Sequence, residues 1–138
     1  MTQMVHNNTV QKALVAYAKS KATILAKLDD ADEIREDQWQ GREFSYPNIR
    51  VRITRNEPNN SCHQDVEFSF QIFSEESSSK QADDICGTIN DEFHDKSFSQ
   101  SGVRFTGVIC QNLSPAMRVD QRTWRSEAFF KAIVSPVS

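Results

Sequence analysis

The chain is poor in the residues from which most cofactor and nucleotide sites are made. Only four glycines are spread through 138 residues, and no GxGxxG, GxxxxGK[ST] or GxSxG run occurs. A phosphate-cradling loop or a nucleophile elbow has no local sequence to form from. The three histidines, His6, His63 and His94, fall in no HExxH or Hx(3–5)H spacing. His63 adjoins Cys62, but neighbours on an extended chain point opposite ways and make a poor chelate. Cys62, Cys86 and Cys110 are odd in number, widely spaced and without a CxxC pair. They read as idle thiols, not as a disulfide or a metal site. No run reaches the roughly 20 apolar residues of a membrane helix. No basic region followed by an apolar stretch opens the chain, so synthesis in a cytoplasm and no membrane contact are expected. The net charge of −3 argues against a dedicated nucleic-acid binder, which carries a basic excess. Asp29, Asp30, Asp32 and Glu33 cluster, but the segment lacks the glycine and distal glutamate of a calcium loop. A solvated acidic loop is the simpler reading, with a contact to a basic neighbour as its alternative. The expectation is a non-enzyme with no catalytic, cofactor-binding or metal-ligating residues.

What the chain does have is periodicity. Val10, Ala13, Leu14, Tyr17, Ala18, Ala22, Leu25 and Leu28 recur at helical spacing, which predicts a helix over 9–28 capped by Asn8 or Thr9. Asp29 to Gln40 is acidic and polar and predicts a turn or loop. Pro47 biases Tyr46 toward an extended conformation. Ile49, Val51 and Ile53 alternate with Arg50, Arg52 and Thr54 as a strand. A second strand near 64–73 places Val66, Phe68, Phe70 and Ile72 inward and Asp65, Glu67, Ser69 and Gln71 outward, with Phe73 breaking the pattern. The pair predicts an antiparallel hairpin. Ala82, Ile85, Cys86, Ile89 and Phe93 predict a helix from about Ser79 to Asp95. Gly87 weakens this helix and is a candidate for close approach of helix and sheet. Residues 97–102 read as a loop and 103–111 as a strand with Gly107 at a bulge. Residues 113–122 read as irregular, and 124–134 as the last strand, where Ser126, Ala128, Phe130, Ala132 and Val134 share one face.

One core suits this length, so residues 1–138 are expected to be a single domain. The predicted class is α+β: a mainly antiparallel four-stranded sheet packed by two helices, in the order α-β-β-α-β-β.

The arginines have three readings. Arg50 and Arg52 share the polar face of a strand, and Arg118, Arg122 and Arg125 precede the last one. They are a solvated face balanced by Asp65 and Glu67, a subunit interface, or a positive lining for passing DNA. Phe73, Trp124, Phe129 and Trp39 are candidate interface anchors, with core packing as the bland alternative for each.

From Tyr46-Pro47 onward the chain resembles the tail terminator (tail completion, head–tail joining) proteins of long-tailed phages. The likeness lies in order and covers most of the chain. A long first helix and a polar loop lead to Tyr46-Pro47, then strands near 49–54 and 65–73 ending at Phe73-Ser74. A helix opened by Ser77–Ser79 follows, then strands at 103–111 and 124–134. The resemblance implies a structural virion protein with no cofactor. Such a protein forms a hexameric ring that caps the head-proximal end of the tail tube, ends tube polymerisation and offers the docking surface for the head. Its partners would be further copies of itself, the tube protein and a neck or head-completion protein. DNA would pass through its channel without sequence-specific binding. Loops 29–45, 56–64 and 113–123 are the candidates for tube and neck contact. The interface or channel candidates are Arg50, Arg52, Phe73, Arg118, Arg122, Trp124 and Phe129. The alternatives are another neck or head-closure protein, an adaptor or stopper, and a small-molecule-binding α+β domain.

Overall fold

The computed structural model describes residues 5–36, 45–58 and 63–137. The chain runs through helix α1 (Asn7–Lys19), a one-turn helix α2 (Ala22–Leu25), a 3-10 turn at Ala31–Glu33 and a short strand β1 (Ile34–Glu36). Strands β2 (Asn48–Pro58) and β3 (Gln64–Ser74), helix α3 (Lys80–Phe93) and strands β4 (Lys96–Gln100), β5 (Val103–Arg118) and β6 (Trp124–Pro136) follow. They form one sheet in the order β1-β2-β3-β6-β5-β4. β1 is parallel to β2, and the other pairs are antiparallel.

The expected four-stranded, mainly antiparallel sheet under two helices is therefore incorrect. Among the described residues the sheet is mixed, has six strands and curls into a half-barrel, and three helices accompany it. β1 lies where an acidic loop is expected, because three residues are too few for an alternation to register. Ile34 buries its side chain in the core beside Ile49, and polar contacts hold the residues around it. Glu33 and Arg35 form a buried ion pair at 3.4 Å, and the Ser45 N–H donates to the same carboxylate at 2.9 Å. β4 replaces an expected loop; its one inward anchor, Phe98, lies opposite Phe105. β5 continues through the segment expected to be irregular. A register shift between Ser114 and Met117 accommodates Pro115, which has no N–H for the ladder. Trp39 and Cys62 lie outside the described residues.

The first helix is also shorter than its stripe. It starts after His6 with no side-chain cap, so neither Asn8 nor Thr9 plays that part. It stops at Ser20, whose hydroxyl donates back to the Tyr17 carbonyl, and Lys21 is extended. The chain then turns, which buries Ile24 and Leu28 and leaves Ala22 exposed.

The core sits between one sheet face and the helices. Adjacent strands place Val51 beside Phe70 and Phe70 beside Ala128, then Ile53 beside Phe68 and Phe68 beside Phe130. Phe93, at the end of α3, is fully buried at the centre. Its ring lies 4.7 Å from Phe70, 5.2 Å from Tyr17, 5.9 Å from Phe130 and 6.0 Å from Phe98. Tyr17 stacks on Phe98 at 3.6 Å, which joins α1 to β4. Gly107 has φ +61 and marks the bulge between Thr106 and Ile109, as its sequence position suggests. Gly87 does not bring helix and sheet together; a Cβ built there meets nothing within 4 Å.

Phe93→Ala is expected to destabilise the fold by about 3–5 kcal/mol, read from urea unfolding. Gly87→Ala should stabilise it by about 0.5–1 kcal/mol, since the helix gains a better former without a clash. Gly107→Ala should lose about 1–2 kcal/mol, because its left-handed backbone is strained for a residue with a Cβ.

Candidate functional site

Side chains alternate across a strand, so a sheet with one face on the core presents a second, helix-free face. Here that face carries charged and polar side chains, several of them paired, together with Phe73, Phe129 and Ile133. Arg52 donates to Glu127 at 2.9 Å and to the Ser69 hydroxyl at 3.2 Å, and Ser69 in turn donates to Glu127 at 2.7 Å. Glu127 is 6% exposed and Ser69 fully buried, while the Arg52 side chain, 39% exposed, covers them from the solvent side. Arg55 pairs with Glu57 at 2.7 Å and Glu67 at 2.9 Å. Those bonds, Glu57 first, hold the guanidinium more firmly charged and pull the Glu57 carboxyl below its ordinary value. Both partners are open to solvent, so the pairs add little stability. Arg50 lies 4.0 Å over the Phe73 ring and bonds Asn48 at 3.1 Å. Phe73 and Phe129 both point to this face and are half-buried. The partners expected for the strand arginines are Asp65 and Glu67. Glu67 takes Arg55, while Arg52 is matched from β6 by Glu127, a pairing that only the strand order creates.

The second feature is the β5–β6 hairpin end. Arg118 lies 5.6 Å over the Trp124 ring and donates to the Gln121 carbonyl. Asp120 closes the turn by accepting the N–H groups of Arg122 and Thr123, each at 2.9 Å, and the Arg122 bond leads in holding its carboxyl below the usual range. Arg122 is exposed, and Arg125 reaches the Met117 sulfur at 3.9 Å. Leu113, Met117 and Val119 are 40%, 55% and 43% exposed. Their apolar side chains in a polar stretch are the sequence signal for this surface, and reading 113–122 as irregular misses it.

The structure thus groups the site candidates in two places. Arg50, Arg52, Phe73 and Phe129 share the helix-free face. Arg118, Arg122 and Trp124 gather at the hairpin end. Of the loop candidates, only parts of 29–45 and 56–64 are described.

Chemistry-bearing groups stay apart. Among the described residues no cluster of His, Cys, Asp and Glu has metal-binding geometry. His94 uses Nδ1 to accept the Cys110 N–H at 3.0 Å. Burial pushes the Cys86 thiol up to about 11 and also raises that of Cys110. A cavity of about 420 Å³ on the helix-free side is lined by Arg55, Asp65, Glu67 and Lys131, and one of about 450 Å³ by Lys27, Glu76, Lys80 and Asp84. Each mixes both signs of charge; the second also carries the Ser77 and Ser78 hydroxyls, and neither is lined by a histidine. No described helix is long and apolar enough to cross a membrane.

This is a helix-backed, curled single sheet with a partly charge-paired open face and a basic, apolar-tipped hairpin at one end. Among solved structures the chain shares its fold with one from the virion of a native gene transfer agent particle. The TM-score is 0.73 at 14% identity, over 91% of this chain and 94% of that one. A second solved chain superposes with a TM-score of 0.55 at 11% identity, over 91% of both chains. No protein-family model and no curated protein matches the sequence.

Arg52→Ala is expected to cost about 1–3 kcal/mol by leaving Glu127 without its charged donor. The loss should largely vanish in an Arg52→Ala, Glu127→Gln background, which a double-mutant cycle by urea unfolding would measure. At pH 8, Cys86 should alkylate of order a hundredfold more slowly than an unperturbed thiol, as followed by mass spectrometry, because so little of it is thiolate.

Proposed function

We propose that the chain is a structural protein of a phage-like virion, and that it caps the head-proximal end of a tail tube as a ring. The observation that carries this reading is the shared fold with a chain of a gene transfer agent virion, at a TM-score of 0.73 over nearly the full length of both. The order of elements from Tyr46-Pro47 onward supports the terminator role within that class. A rigid core beneath a polar face suits a subunit that transmits position instead of transforming a substrate. On this reading the ring has six copies, ends tube polymerisation and presents one rim to the tube and the other to the neck. DNA passes through its channel by general electrostatics alone. The chain carries out no catalysis and needs no cofactor.

The paired arginines refine the channel idea. Arg52 and Arg55 are each matched by a carboxylate, so a wall made of this face presents a mixed surface, not a uniformly cationic one. Such a wall lets a polyanion slide without holding it.

Light scattering over a wide concentration range, with negative-stain microscopy of the same samples, tests the proposal. The expected result is a six-subunit ring with a central hole that adds to one end of a tail tube and halts its growth in a tube-polymerisation assay. A monomer throughout, with tube growth unaffected, overturns it.

A further inference from the structure

A ring needs two different, complementary patches on each copy, one for each neighbour. The choice of patches is a separate matter from ring formation itself, and it rests on the ring reading above. The register of the sheet supplies two patches. Ile34 pairs with Ile49, Asn48 with Phe73, Ser74 with Trp124 and Trp124 with Arg118. The start of β1 and the end of β5 therefore lie at the same end of the sheet, on its opposite sides. They are four strand spacings apart, roughly 19 Å along the sheet.

Their charges are opposite. Before β1 stand Asp29, Asp30 and Asp32, all exposed. Lys27 lies beside them, and Lys19 approaches Asp32 only to 3.9 Å, with both side chains solvated. At the β5 side stand Arg118, Arg122 and Arg125. Asp120 there accepts the N–H groups of Arg122 and Thr123, and Asp83 that of Ala116 at 2.9 Å, so both are held close to the backbone, while Glu75 and Glu76 follow β3 at the same end. The basic side also carries exposed apolar surface. Of the five large apolar side chains exposed among the described residues, Leu113, Met117 and Val119 lie on this arm.

The mode of contact follows from the edge itself. β4 pairs with β5 only as far as Val108, which leaves β5 with β6 alone as a strand partner from Ile109 to Arg118 among the described residues. An open edge of that kind invites a further strand. Two of its N–H groups are already taken, that of Cys110 by His94 and that of Ala116 by Asp83, which interrupts a continuous ladder along it. The charged and apolar side chains of the arm are then the surface a neighbour meets.

We propose that the occupant of this basic, apolar-tipped β5 arm is a second copy of the same chain, presenting the acidic segment that precedes its own β1. Repeated around a rotation axis, this head-to-tail contact closes the ring.

Charge reversal tests it. Arg118→Glu with Arg122→Glu makes both sides acidic, and Asp29→Lys with Asp30→Lys makes both sides basic. All four positions are exposed, and circular dichroism with thermal melting confirms that each variant folds. Like charges facing each other cost several kcal/mol, so each variant alone should need more than about tenfold higher concentration to form rings. Mixing the two should restore rings, because alternating copies now face opposite charges at every contact. Native mass spectrometry should then show equal numbers of each. Rings that form normally in both separate variants overturn this pairing and leave the ring reading standing. A wild-type chain that forms no ring removes the reading and the pairing together.

Discussion

The position of one ring, Phe93, constrains most of this molecule. It is the last residue of α3 and meets side chains from α1, β3, β4 and β6. A helix backing a sheet can slide or rotate unless something large fixes it. An aromatic side chain surrounded by rings from several elements does so, because close-packed interiors leave no room for a second arrangement. Tyr17 stacked on Phe98 extends the same cluster to the far side of the sheet. The register of β3 against β6, and with it the placing of Glu127 beside Arg52, depends on this packing being unique.

The helix-free face follows a different logic. A sheet covered on one side only must keep its other side compatible with water or with a partner. This chain puts an arginine, a serine and a glutamate from three strands into one hydrogen-bonded set. Burying a carboxylate is tolerable only because its guanidinium and hydroxyl partners reach it with good geometry. The set orders this part of the surface without adding apolar area. Arg50 over Phe73 does something similar with an aromatic side chain that would otherwise lie open.

Much of the fold was legible where period and length agreed. β2, β3 and β6 alternate over enough residues to be read directly, and α3 has a full apolar stripe. The glycine at 107 identified its own bulge. The parts that escaped are short or polar. β1 has three residues, with one buried apolar anchor, Ile34, beside the Glu33–Arg35 pair, too little for a hydrophobic pattern to show. β4 has one inward phenylalanine. The break after α1 comes from a serine that bonds its own helix, while the apolar stripe continues across it. For the site, arginine clustering could be seen, but its neutralisation could not. Glu127 and Arg52 are 75 residues apart and meet only because β6 lies between β3 and β5.

The Gln64 side chain acts as a substitute peptide: its carbonyl accepts the Val5 N–H, and its amide donates to the Val5 carbonyl at 3.0 Å. Gln64 also pairs with Val134, while the Val137 N–H donates to the Gly102 carbonyl at 3.0 Å. The two ends of the described chain are thus fastened to the same end of the sheet, away from the Asp120 turn. A gold label or fluorescent protein fused beside Val5 or Val137 would therefore sit at one end of the sheet and leave the Asp120 turn bare. Such a label reports which way the sheet points.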